Sequence, residues 1–592
     1  MGVNLDKAEN SKATIKRVMQ YLKAHKKSLI LVVVFILIYV ILNMVTTLML
    51  KPIVDDYIVP MLQNPEDGTL KIKFIQIMVI YIVIIVLSTI FSYLNSKIML
   101  KVSQVAVAEM REDVFNKLQK LPIKYFDTHP TGELMSKIVN DIENVSTALN
   151  TSVNQIISGG LTVILTLITM LIISPILALI SILALPVMLV SVGIIAKINK
   201  TQFIKSQECL AEVNSYIEEY VSGQKVVKAF NKEEYIKENF KDKNLKLKKE
   251  GFMAQAVAGV VMPVMLNISS ITTAITAVVS GVLAINGKIT LGTITLYTKF
   301  SREFSRPIQE VTNQFNVIQA GIAGAERCFQ IIDEEVEFKD NEGKPEIQEV
   351  KGHVELKGVC FSYNKKDEIL KDINIEAKPG ETVAIVGPTG AGKTTIINLL
   401  TRFYDIDKGE ILIDGVNIKD IEKASLRDSL GIVLQDTVLF NETVKENIRF
   451  GKLESSEEEI EEAAKLANAH SFIKRLPHGY DTILADDASN VSKGQAQLLN
   501  IARVILKNPK ILVLDEATSN VDTRMEVKIQ EAMGKLLKGR TSFVIAHRLS
   551  TIRNADKIIV INDGQVKEQG THEELISKKG IYYTMYTGIF EE

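Results

Sequence analysis

The sequence predicts two folds in tandem: an all-α membrane domain of six helices over residues 1–335, then an α/β P-loop domain over residues 351–592, joined by a linker at 336–350. Three observations predict this. Five stretches (28–50, 74–96, 151–173, 174–196 and 252–287) contain no Asp, Glu, Lys or Arg. Polar, Lys-rich segments at 101–150 and 198–250 alternate with tight turns between those stretches. Further on, an apolar strand-like segment, ETVAIV, runs into a glycine-rich loop and then into a helical pattern.

A bilayer-crossing helix needs about 20 mostly apolar residues. A charge at the bilayer centre costs about 2.5–3.5 kcal/mol even on lenient scales, so charge-free runs of this length are spans rather than helices of a soluble core. The sixth span, 290–311, is weaker. It is clean only to Thr298 and then meets Lys299, Arg302, Glu303 and Arg306. It is required because an even number of spans keeps the N-terminus and the second domain on the same side. At 1.5 Å per residue Lys299 lies about 13 Å below the helix start, near mid-membrane, and is expected to face protein or a wet cavity. It either contacts an anionic substrate or is neutralised by Glu303 four residues on.

The third and fourth runs abut at Ser174–Pro175, and the fifth and sixth join through Asn286-Gly287-Lys288, so both pairs turn tightly. The long Lys-rich segments are placed in the cytoplasm by the positive-inside tendency, which leaves 51–73 outside. They read as helical, so the spans continue beyond the membrane as hairpins. Residues 12–25 suit an amphipathic helix on the inner membrane surface. The opening MGVNLDKAENSKATIKRVMQ has no apolar core and is no cleavable signal.

Composition narrows the function classes. The net charge of −1 gives no field for a nucleic-acid partner, and the spans exclude a soluble enzyme of translation or repair. Three widely spaced cysteines, Cys209, Cys328 and Cys360, argue against a disulfide framework or a zinc site.

The second domain carries the chemistry. Gly387-Pro-Thr-Gly-Ala-Gly-Lys393-Thr394 between strand and helix is the P-loop pattern in its required context. Its glycines let backbone N–H groups close around phosphates, and the helix N-terminus adds partial positive charge. Lys393 is expected to reach the β- and γ-phosphates and Thr394 to ligate Mg²⁺. Gly387, Thr389, Gly390, Gly392, Lys393, Thr394 and Thr395 form the expected ATP-binding set. Downstream, ILVLDEAT ends a strand in Asp515, a second Mg²⁺ ligand directly or through water. Glu516 is placed to accept a proton from the attacking water.

With these residues in view, the chain resembles the ATP-binding cassette (ABC) family along nearly its whole length. The resemblance implies further roles. Tyr363 is similar to the aromatic that stacks on adenine. Gln435, in GIVLQDTVLF, is similar to the glutamine that ligates Mg²⁺ and links the site to the membrane domain. Asp522, in SNVD, resembles the dimer-communication loop, and His547, in VIAHRLS, the histidine that contacts the γ-phosphate. YFDTHPTGELMSKIVND (125–141) and SGQKVVKAF (222–230) look like the two coupling regions of family exporters. A membrane domain fused ahead of the ATPase is the exporter arrangement. The resemblance also implies a plasma-membrane location, a second half-transporter as partner, membrane lipid around the spans and a small-molecule substrate.

The sequence departs from the family at the signature, and the preceding ILADDASN (483–490) also departs from the usual glycine- and glutamate-containing pattern. The usual LSGGQ signature reads Val491-Ser492-Lys493-Gly494-Gln495. In the family this signature closes, across the dimer, over ATP held by the other subunit. Lys493 puts a side chain where a backbone must approach a phosphate closely. Either the change is harmless drift, or this chain belongs to an asymmetric heterodimer that resembles the bacterial heterodimeric multidrug exporters. In that case Lys393, Thr394, Gln435, Asp515, Glu516 and His547 complete one site with a partner's intact signature, and Ser492, Lys493, Gly494 and Gln495 offer the partner a degenerate one. The expected function is ATP-driven export of drugs or small amphiphiles. A dedicated peptide or lipid exporter and an ATP-gated channel or membrane-tethered regulator are the other classes; no peptidase segment precedes residue 12, which weighs against leader-cleaving peptide exporters. Asn43, Asn154, Gln155, Asn267 and Tyr297 are polar residues on the spans, candidates for the cavity wall or for interhelical hydrogen bonds.

Overall fold

The computed structural model describes residues 11–338, 343–347, 349–434, 437–485, 490–515, 523–546 and 549–588, with backbone only at positions 308, 309, 311–313, 315, 316, 549, 550 and 588. The chain forms two compact units, one of residues 1–119 and 129–334, the other of residues 120–128 and 335–592.

The first unit is helical throughout. Helix α1 (Ser11–Lys23) precedes α2 (Lys26–Leu48), α3 (Gly68–Leu118), α4 (Val153–Ile173), α5 (Pro175–Ser222), α6 (Glu233–Gly259), α7 (Val261–Ile285) and α8 (Leu291–Asp333). The helices containing the first five apolar runs are long and apolar enough to cross a membrane. α8 fails that measure because of its charges, yet it runs unbroken for 43 residues. The helix that begins as α2 continues, through a π-helical turn, as far as Gln63. α3 and α5 extend far past the apolar runs inside them, to 51 and 48 residues, so the expected helical hairpins form.

Local chemistry explains the boundaries. Asp67 caps α3 by accepting from the N–H groups of Thr69 and Leu70. The break between α6 and α7 falls at Val260, just ahead of Pro263, whose ring cannot follow the carbonyl of Gly259 in a regular helix. Leu296, Tyr297 and Phe300 of α8 are buried against Met170 and Leu177, while large apolar side chains such as Ile75, Ile82 and Val83 point outward, as lipid-facing helices require. Helix α8 packs closely on the segment around 141–148. A Cβ on Gly321 would sit 2.4 Å from that of Ala148, so only glycine lets the helices approach. Beside it the Arg327 guanidinium donates to both carboxylate oxygens of Asp141.

α1 is tied to the end of this bundle where α8 finishes. Arg17 donates to both oxygens of Asp333, lies 4.1 Å from the centre of the Phe329 ring, and is joined by Tyr21, whose hydroxyl donates to Asp113 at 2.7 Å.

The second unit is α/β. Strands β1 (Val354–Phe361), β2 (Leu370–Ala377), β4 (Lys408–Ile413) and β5 (Val416–Asn417) form an antiparallel sheet in the order β2-β1-β4-β5. Strands β3 (Thr382–Val386), β6 (Leu430–Val433), β7 (Ile511–Asp515), β8 (Thr541–Ile545), β9 (Lys557–Asn562) and β10 (Gln565–Gly570) form a second sheet in the order β10-β9-β3-β8-β7-β6. All its neighbours are parallel except β9 and β10. β3, β7 and β8 are almost wholly buried, and their stretches 383–386, 511–514 and 543–545 are apolar on both faces, which is why they read as continuous apolar runs rather than alternating ones.

Candidate ATP site

In parallel α/β sheets ligands bind outside the carboxyl ends of the strands. Here β3 ends at Val386 and hands the chain to the glycine loop, while β7, two strands away across β8, ends at Asp515. The loop turns sharply at its glycines. A Cβ on Gly387 would lie 2.1 Å from the carbonyl oxygen of Ile561, and Gly392 has φ +101° immediately before helix α9 (Lys393–Leu400). Between them, Thr389 and Gly390 are exposed to solvent, and the N-terminus of α9 opens toward the same space.

Lys393 is buried, and its ammonium donates to the carbonyls of Gly387 and Pro388 at 2.8 and 2.9 Å. Burial lowers its pKa from the ordinary lysine value, and the neighbouring Asp515 carboxylate works against that shift. The Thr394 hydroxyl donates to the Asp515 carboxylate at 3.5 Å. A hydroxyl and a buried carboxylate within reach of one another are hard oxygen donors, which suit Mg²⁺ held jointly with phosphate oxygens. The donor set therefore fits the ion.

Tyr363 stands just past the end of β1. Its hydroxyl donates to Thr395 Oγ1 at 3.3 Å and accepts from Asn398 Nδ2 at 3.2 Å, so both partners lie on α9. Its ring meets the edges of Phe361 and Tyr404, with centroids 4.8 and 4.9 Å away, and is 39% exposed, leaving surface for a planar base. The buried Thr395 contributes through this bond to Tyr363. A cavity of about 660 Å³ adjoins the ring, lined among others by Lys124, Phe361, Arg402, Tyr404 and Lys423.

Tyr404 and Asp127 are absent from the expected set. The Tyr404 hydroxyl donates to the Asp127 carboxylate, on a short helix (Ile123–Thr128) in the first region that resembles a coupling segment. The same unit ties that region down again, with the Glu337 N–H donating to the Lys120 carbonyl and the Arg427 guanidinium gripping the Glu337 carboxylate. The only sequence signal for Tyr404 is an aromatic just after the P-loop helix.

The signature region begins helix α10 (Lys493–Lys507). Ser492 is its N-cap. The Gln495 N–H donates to the Ser492 hydroxyl at 3.3 Å, and the Ser492 N–H donates to the Gln495 side chain at 2.8 Å, completing a capping box. Lys493 is the first helical residue and is exposed, whereas Gly494 is buried. A cation at a helix N-terminus opposes the macrodipole. Gln435, Glu516, Asp522 and His547 lie outside the described residues.

The polar residues of the spans divide. Tyr297 is fully buried, with its hydroxyl donating to the carbonyls of Met170 and Ser174, and Asn154 accepts from Asn95 at 2.8 Å. Both tie helices together. Glu303 accepts from the Thr47 hydroxyl at 2.9 Å and pairs with Lys299 at 3.4 Å, so Lys299 has the expected neighbour four residues on.

A helical membrane unit and a parallel-sheet unit with a phosphate loop, a hydroxyl–carboxylate metal cradle and an aromatic base platform define a membrane-bound P-loop ATPase. The family profile for the ABC transporter transmembrane region matches residues 29–308, and the profile described as ABC transporter matches residues 370–519. A fatty acid ABC transporter ATP-binding/permease protein of Mycobacterium bovis is 42% identical over 81% of this chain and 76% of its own length. YgaD of Bacillus subtilis, named as a candidate multidrug export ATP-binding/permease protein, is 36% identical over 97% of this chain and 99% of its own length. A solved bacterial Atm1-family ABC exporter with ATP bound superposes with a TM-score of 0.79 at 30% identity, covering 94% of this chain and 97% of the other. The chain belongs to the ABC transporter family. It is an exporter of the multidrug and lipid type, an ATP hydrolase coupled to transport that uses ATP with Mg²⁺ and acts as a dimer. It is a multi-pass protein of the plasma (inner) membrane, and its ATPase domain is cytoplasmic.

Proposed function

We propose that this chain is the hydrolytically competent half of an asymmetric heterodimer that exports small amphiphilic molecules. The observation that carries the asymmetry is Lys493 at the first helical position behind the Ser492 cap, where the family places glycine. An exposed long side chain there hinders close approach of the helix N-terminus to a partner-held γ-phosphate, while this chain's own P-loop and Asp515 form an intact cradle. The amphiphile assignment draws support from the relatives, one named for fatty acids and one for multidrug export.

In this reading the main-chain N–H groups of 387–394 and the Lys393 ammonium hold the phosphates. Lys393 exchanges its contacts to the carbonyls of Gly387 and Pro388 for phosphate oxygens. Tyr363 stacks on adenine. Thr394, Asp515 and Gln435 hold Mg²⁺, which neutralises phosphate charge when bound. Glu516 accepts the proton of the attacking water, and His547 contacts the γ-phosphate. Asp522 communicates between the two sites. ATP binding favours the closed cassette dimer, and closure is passed through the coupling segments to the spans, a population shift toward the outward-facing state. Hydrolysis resets it.

The test is Glu516→Gln in the assembled pair, in inverted membrane vesicles, with ATPase rate and uptake of a fluorescent amphiphile measured together. Both should fall to background while ATP binding persists. A pair that keeps most of its ATPase rate refutes the assignment of the hydrolytic site to this chain.

A further inference from the structure

Between residues 292 and 307 of α8 the positions that stay exposed in this chain are Thr295, Lys299, Arg302 and Arg306, at spacings of four, three and four residues, while Leu296, Tyr297, Phe300, Ser301, Phe304 and Ser305 are buried behind them. These spacings put the three cations on one face of the helix. Counted from Leu291 at 1.5 Å per residue they lie about 12, 17 and 23 Å down the axis, from near the middle of a hydrocarbon core about 30 Å thick into its inner half.

The charges on this stripe do not balance. Lys299 pairs with Glu303 at 3.4 Å, but Glu303 is 14% exposed, turned inward and shared with the Thr47 hydroxyl. Arg306 pairs with Glu310 at 2.9 Å and is still 79% exposed. Arg302 has no ionic or hydrogen-bond partner among the described residues. The other five apolar runs contain no Asp or Glu to supply one. An unpaired cation facing lipid at this depth is costly, so this face belongs to a wet cavity.

We propose that the α8 stripe of Lys299, Arg302 and Arg306 is the headgroup subsite of the export cavity, and that the exported amphiphiles are anionic, bearing a carboxylate, sulfonate or phosphate head on an apolar tail. Arg302 is its centre. Its guanidinium offers paired donors to a planar or tetrahedral oxyanion, and Lys299 and Arg306 flank it by about one helical turn on either side. The apolar tail is left to the surrounding spans. The proposal rests on the exporter function argued above and adds the sign of the substrate's charge.

The experiment uses the assembled transporter in inverted membrane vesicles with two permanently charged probes of equal tail length, decanesulfonate and decyltrimethylammonium. ATP-dependent uptake and the half-saturating concentration for ATPase stimulation are read for each. The wild type should accumulate the sulfonate in preference to the ammonium. Arg302→Gln should raise the half-saturating concentration for the sulfonate by about tenfold, the loss of one charge-assisted contact, and Arg302→Lys should restore most of it. Arg302→Glu should shift preference toward the ammonium, a gain that misfolding cannot imitate. Equal handling of both probes by the wild type, or sulfonate handling unchanged in Arg302→Gln and Arg302→Glu, overturns the subsite while leaving the exporter function standing. That outcome is expected if the stripe only meets lipid headgroups or the partner chain. Absence of ATP-dependent uptake of either probe, and of a broader set of neutral amphiphiles, overturns the exporter function itself.

Discussion

Cys328 illustrates how far a single position departs from what its letter suggests. As a lone thiol it reads only as one of three unpaired cysteines. In the fold it is buried beside Asp141, its thiol donates to the carbonyl of Lys137, and burial first, then the Asp141 charge, pushes its pKa up to about 12. The folded state holds the proton more tightly than the unfolded chain. Its contribution to stability is therefore complete below the ordinary thiol value and is lost as pH rises through about 12. Native protein at pH 8 should leave Cys328 unalkylated by iodoacetamide, and denatured protein should label it fully, as peptide mass spectrometry can tell. Tyr363 makes a second prediction at this scale. Tyr363→Phe removes the hydroxyl bond to Thr395 but keeps the ring, and should change the KM for ATP less than threefold. Tyr363→Ala removes the platform and should raise KM by tenfold or more, consistent with about 1–3 kcal/mol for a stacked base. Steady-state ATPase kinetics of the assembled pair separate the two. Thr395 and Tyr363 were each legible as members of a motif, but the bond between them was not, because it joins residues 32 apart in sequence.

The P-loop strand, the long spans and the helical hairpins could be read from sequence because each is a local pattern: a charge-free run, an apolar segment ending in glycines, a helical periodicity. The sixth span was readable only through the need for an even count, since its charges defeat any hydropathy criterion, and the structure shows why it survives. Its buried face is apolar and hydroxylic, and its cations share the exposed one. What sequence could not supply is pairing between distant elements. The Tyr404–Asp127 bond joins positions 277 apart, and neither residue stands in a motif that names the other. It places the helix of residues 123–128, in the region that resembles a coupling segment, against the aromatic cluster of Tyr363 and Phe361. Both partners are held in this bond, and burial together with the Asp127 charge raises the Tyr404 pKa, so the phenol stays protonated as the donor. Tyr404→Phe and Asp127→Asn should each leave ATP binding intact and lower the ratio of amphiphile transported to ATP hydrolysed. The double variant should be no worse than either single one, because both remove the same bond. Additive losses in that cycle would show that the two residues act separately.

Over the whole molecule the two compact units divide the chain at Glu334–Glu335, and one short excursion, residues 120–128, joins the ATPase unit although it lies between α3 and the following helices in sequence. The fold class was legible in full, since charge-free runs and a P-loop in strand–loop–helix context leave few alternatives. The departure of the signature from the family pattern was visible as a letter change, and the structure adds that Lys493 is exposed at the head of a well-capped helix. Whether this chain can complete its own site in a pair with itself therefore decides between a homodimer and a heterodimer. The direct measurement is the ATPase rate of this chain purified alone in lipid, beside Lys493→Gly and Glu516→Gln, with ATP binding checked for all three. The account predicts a background rate for the wild type despite ATP binding, and a rate raised at least tenfold by Lys493→Gly, which returns the helix N-terminus to a form a phosphate can approach. A robust wild-type rate that Glu516→Gln removes and Lys493→Gly leaves unchanged would contradict it, and would make the protein a working homodimer.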